Sequence, residues 1–110
     1  MSSRLTDEEY EKIETAHPGL RLMRIPTAAG EIVIRQPSAQ EESAFQTVLF
    51  GPGTNSSVIA WRNLLIATTV HPDRQTLAAW LASWTGLAMN NRVIKTMKLI
   101  RGEADEEEAK

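Results

Sequence analysis

The sequence has no cysteine, few aromatic residues and no long apolar run. The missing cysteine excludes disulfides and thiolate metal sites. Residues 1–14 carry five acids and no hydrophobic segment, unlike a secretory signal. No stretch approaches the roughly 18 continuous apolar residues that mark a membrane span. These absences predict a cytoplasmic protein with no membrane partner. Three Trp, two Phe and one Tyr are a thin aromatic supply, yet 42 % hydrophobic residues suffice for one core. A chain of 110 residues fills a single domain. It buries only about two-thirds of the surface exposed on unfolding. Self-association would supplement that margin, and a homo-oligomer is expected.

The net charge of −2 is unevenly spread. Asp7, Glu8, Glu9, Glu11 and Glu14 crowd the start, and Glu103, Asp105, Glu106, Glu107 and Glu108 crowd the end. Between them nine Arg and Lys face four acids. A basic body with acidic ends can orient a partner or a neighbouring copy.

Helix starts are written clearly. Thr6 with Glu9, and Ser38 with Glu41, have the spacing of a capping box. Leu5 and Tyr10 stand where a hydrophobic staple packs, and His17-Pro18-Gly19 stops this first surface helix. Residues 20–25 and 31–35 are rich in aliphatic side chains and flank a turn at residues 26–30 containing Pro26 and Gly30, predicting a β-hairpin. Its Leu22, Met23, Ile25, Ile32, Val33 and Ile34 are expected to cover a helical layer on one face, because a lone hairpin is marginal. Phe45, Val48 and Leu49 recur at helical spacing after Ser38. A Gly-Pro break at residues 51–53 follows. Ser56 or Ser57 is then expected to cap a central helix, apolar on most of its circumference, from Val58 through Val70. Asp73 caps the next helix, where Leu77, Trp80, Leu81 and Trp84 form an i, i+3, i+4, i+7 stripe ended by Gly86. A last helix is expected over residues 87–101, with Met89, Val93, Met97 and Ile100 on one face. Core filling is the favoured role for those methionines and for Trp80 and Trp84. The fold class is therefore α+β, mainly helical: an N-terminal β-hairpin packed on a bundle of about four to five helices. Residues 1–102 make the single domain, and residues 103–110 an acidic tail too charged to bury, expected to be disordered.

No constellation points to catalysis, a cofactor or a metal. His17 and His71 both precede proline at helix ends, a structural position, and zinc would need carboxylates at unrecognisable spacing. No nucleophile elbow accompanies the serines. Gly51-Pro52-Gly53-Thr54 lacks the Gly-Lys-Ser/Thr ending of a phosphate-binding loop, and Pro52 removes an amide. The tail lacks the alternation and glycine of a calcium loop. A helix-turn-helix around His71-Pro72-Asp73 would present Arg74 and Gln75 beside Ala78, Ala79 and Ala82, with too few phosphate contacts, so nucleic acid is disfavoured. Arg92, Lys95, Lys98 and Arg101 recur every third residue opposite Val93, Met97 and Ile100. They form the candidate partner-docking face, against the plainer reading of a solvated cationic helix end.

The order of segments carries a resemblance. An acidic helix leads to a hairpin ending Glu31-Ile32-Val33-Ile34-Arg35-Gln36-Pro37-Ser38; two helices, a Val70-His71-Pro72-Asp73 break, two more helices ending in Gly102 and a charged tail follow. Across residues 20–102 this resembles the tail assembly chaperones of long-tailed bacteriophages and prophages. The resemblance implies a non-enzymatic, self-associating protein that binds the tape measure protein, and in a longer form the tail tube protein, during virion morphogenesis. The alternative function is a small phage-derived nucleic-acid-binding regulator.

Overall fold

A computed structural model of the chain describes residues 5–84 and 86–102. The expected acidic tail, residues 103–110, lies outside the described residues.

The first helix, α1 (Asp7–Ala16), begins with a reciprocal capping box. The Glu9 N–H donates to Thr6 Oγ1 at 3.1 Å, and the Thr6 N–H donates to Glu9 Oε1 at 3.0 Å. Both satisfy amides that a helix start leaves without an internal partner. The helix ends at His17, and Gly19 turns the chain at φ 79°, a conformation that disfavours side chains with a Cβ. No residue within α1 is buried.

Strands β1 (Leu22–Pro26) and β2 (Glu31–Arg35) form the antiparallel hairpin. Pro26 pairs with Glu31, so the turn is shorter than expected and comprises residues 27–30, closed by mutual hydrogen bonds between Thr27 and Gly30. The sheet is also larger than a hairpin. A short strand β3 (Thr69–His71) pairs antiparallel with β2, giving the order β1-β2-β3. The apolar pattern predicts a central helix running through Val70, whereas the helix ends at Thr68. Thr68 and Thr69 turn their hydroxyls onto the Leu64 and Leu65 carbonyls at 2.8 and 2.6 Å, occupying acceptors at the helix end. His71, preceding Pro72, is restricted to extended backbone, which suits a strand.

Helix α2 (Ala39–Leu49) starts with the second capping box, Ser38 and Glu41. Helix α3 (Ser56–Thr68) does not follow the expected serine cap: Asn55 holds the cap position without a side-chain bond. Ser56 Oγ instead donates back to the Leu49 carbonyl at 3.4 Å. Helix α4 (Arg74–Ser83) is capped by Asp73, whose Oδ1 accepts the Thr76 N–H at 3.1 Å. It ends at Trp84, before Gly86. The expected long last helix is interrupted: a 3₁₀ turn (Leu87–Met89) precedes α5 (Asn91–Ile100). Asn90 explains the break. It adopts extended backbone to cap α5, its Oδ1 accepting the Arg92 N–H at 2.9 Å.

The central strand decides the layering. Ile25, Ile32 and Ile34 point into one core with Phe45, Leu64, Leu65, Leu77, Val93 and Met97. Residues paired directly across the strands share a face, so Arg24, Val33 and Glu31 point the other way. That face is covered too: Glu31 is only 5 % exposed and Val33 is fully buried. The segment leading into α1 closes it, the Leu5 N–H donating to Glu31 Oε1 at 3.0 Å. Arg24 Nη2 donates to the Leu5 carbonyl at 3.0 Å, and the Arg24 guanidinium carbon lies 4.8 Å from the Tyr10 ring centroid. The hairpin thus has α1 on one face and the remaining helices on the other, where a single covered face was expected. The architecture is α+β and mainly helical.

Candidate functional site

Three arginines that a linear reading leaves on the surface are clamps between elements. Arg24 holds buried Glu31 through Nε at 2.6 Å and Nη2 at 2.9 Å. Arg35 grips Glu41 bidentately at 2.7 and 2.8 Å and donates to the Ala67 carbonyl at 3.0 Å, tying β2 to the starts and ends of α2 and α3. That pairing holds the Glu41 carboxyl down at about 2, with the Ser38 cap assisting against the cost of burial. Arg101 pairs with Glu42 and stacks on Phe45.

The three-residue spacing predicts one docking face of Arg92, Lys95, Lys98 and Arg101, and the structure removes Arg101 from it. Its side chain is 10 % exposed and committed to Glu42. Position 101 lies eight residues after Val93 and four after Met97, so it continues the flank of the buried stripe. Arg92 and Lys95 are exposed on the opposite flank, with Lys98 half-buried between. Two readings of core residues also change. Trp84 ends α4 with 44 % of its surface exposed, and Met89, in the 3₁₀ turn, is 39 % exposed. Trp80 is half-buried against the core and Met97 is fully buried, as expected.

The apolar surface that the sequence reading missed lies on α2 and α3. A cleft of about 190 Å³ opens between them, lined by Ala44, Phe45, Val48, Ala60, Leu64 and Ala67 with Glu41 and Asn63 at its rim. Small alanines on both helices leave room between the larger side chains. The helix pair ends in exposed Phe50, at 82 %, with Val58 and Ile59 at 43 and 48 % in the first turn of α3. The central helix, expected to be apolar on most of its circumference and the most buried, has more buried residues than any other described helix: Ala60, Trp61, Leu64, Leu65 and Thr68. Spacing alone does not reveal the exposed residues, because Val58 shares the i, i+3, i+7 stripe of buried Trp61 and Leu65.

Among the described residues, no three His, Asp or Glu side chains gather as a metal-binding group. No helix among them is long and apolar enough to cross a membrane. The Gly51-Pro52-Gly53-Thr54 stretch is the loop between α2 and α3. A helix-turn-helix around Pro72 is not formed, because β3 separates α3 from α4. No family model, no curated protein and no solved structure matches the chain.

Proposed function

We propose that the protein is a non-enzymatic tail assembly chaperone of the long-tailed phage type, acting in the host cytoplasm. It holds the tape measure protein soluble, self-associates along it, and yields to tube protein during assembly. The observation that carries this reading is the apolar cleft between α2 and α3, two helices that also expose Phe50, Val58 and Ile59 at their adjoining ends. An amphipathic helix recognises such a groove by inserting side chains at one-turn intervals. The order of segments that resembles the chaperone family supplies the identity of the client.

The test is co-expression with a phage tape measure protein encoded beside this gene. The expected outcome is a soluble complex in which the tape measure protein no longer aggregates. A client that stays insoluble, together with tight DNA binding by the purified protein at physiological salt, would replace this reading with that of a nucleic-acid-binding regulator.

A further inference from the structure

Two clefts, of about 630 and 460 Å³, share Thr27, Ala28 and Asn90 among their linings. Both clefts therefore adjoin the same residues, between the hairpin turn and the start of α5. Arg92 and Lys95 line one cleft, and Trp84 lines the other. Among the described residues, no Asp or Glu lines either cleft.

The charge here differs in kind from the clamps. Arg24, Arg35 and Arg101 each hold a carboxylate of their own chain. Among the described residues no carboxylate pairs with the side chain of Arg92 or Lys95. The first turn of α5 also contains no acid, so the positive end of the helix adds to theirs. Trp84 supplies the apolar element. Its backbone is held on both sides, its N–H donating to the Trp80 carbonyl at 2.8 Å and its carbonyl accepting the Leu87 N–H at 2.9 Å. A half-exposed indole on a tethered backbone presents a large contact area at low ordering cost, as binding anchors do.

We propose that this pair of adjoining clefts docks an acidic peptide segment of a partner protein, its carboxylates on Arg92 and Lys95 and an apolar side chain against Trp84. Pro26, Ala28 and Leu87 in the lining make it part apolar, which suits a peptide better than a phosphate backbone. Two cations would also neutralise only two phosphates, too few for tight nucleic-acid binding. The site is separate from the α2–α3 cleft. The helix α5 approaches that cleft through Arg101 at its far end, nine residues and about 14 Å along the axis from Arg92. Client capture and acidic-peptide docking can therefore fail independently.

The experiment is a titration of the ¹⁵N-labelled full chain followed by NMR, at 50 mM salt. The probe is the peptide Glu-Asp-Leu-Glu-Asp-Leu-Glu-Glu; its Gln/Asn counterpart and an eight-nucleotide oligo-dT serve as comparisons. The acidic peptide is expected to shift the amides of Ala28, Arg92 and Lys95 and the Trp84 indole. Affinity should fall about tenfold in the double variant R92E/K95E and about threefold in Trp84→Ala, and weaken steadily as salt rises to 300 mM. All three residues are exposed, so the variants should keep the native spectrum elsewhere. Absence of binding at millimolar peptide, equal binding of the Gln/Asn peptide, or unchanged affinity in R92E/K95E overturns the proposal. Tighter binding of oligo-dT at the same residues overturns it in favour of nucleic acid.

Discussion

The Arg101 guanidinium grips the Glu42 carboxylate across 59 residues of sequence while lying 4.3 Å from the Phe45 ring centroid and 5.6 Å from that of Trp61. Phe45 and Trp61 meet edge-on with centroids 4.7 Å apart, so one cation covers the aromatic junction of α2, α3 and α5. Arg101→Ala removes the ion pair, the stacking and the apolar stem together. It should cost about 1–3 kcal/mol in urea unfolding, without altering the exposed face of Arg92 and Lys95. A double-mutant cycle with Glu42→Gln should show a coupling of about 1 kcal/mol.

Glu31 is the buried carboxylate that fastens the segment before α1 to the sheet, through Arg24 and the Leu5 amide. Glu31→Ala leaves Arg24 without this carboxylate and the Leu5 N–H without its acceptor. The expected loss is about 2–4 kcal/mol, read by chemical denaturation. Limited proteolysis should cut first between α1 and β1, since α1 contributes no buried residue of its own.

Glu41 makes stability depend on acid. Its carboxyl sits at about 2 in the folded chain against an ordinary 4.5, chiefly because Arg35 donates to it. The folded value is depressed, so the contribution is complete above pH 4.5 and is lost as pH falls from there towards 2. Allowing for its partial exposure, this amounts to about 2 kcal/mol. Urea midpoints for Glu41→Gln should be lower at neutral pH and should fall less steeply than wild type between those limits.

The double variant Phe50→Ser, Ile59→Ser separates binding from folding. Both side chains are exposed, at 82 and 48 %, so stability should change by no more than about 0.5 kcal/mol per site. Recovery of a co-expressed tape measure protein in the soluble fraction should fall severalfold. Undiminished recovery would move the client site away from the α2–α3 end.

What the sequence determined by itself is local. Thr6 with Glu9, Ser38 with Glu41, and Asp73 with Thr76 are bonded three residues apart, so their geometry needs no partner from elsewhere. The hairpin is legible for the same reason, its strands being joined by a four-residue turn. The α5 stripe of Val93, Met97 and Ile100 likewise declares its inward face. Only the tertiary structure decided the rest. Strand β3 exists because β2, some 36 residues earlier, offers its edge at Val33 and Ile34 to His71 and Thr69, and no periodicity near Val70 reports that edge. Arg101 turned inward because Glu42, Phe45 and Trp61 meet beside it, while Lys95 and Arg92, six and nine residues earlier in the same pattern, pair with no carboxylate among the described residues. A spacing of three residues places cations on a helix, but the neighbours that fold against it determine which become clamps and which stay available to a partner.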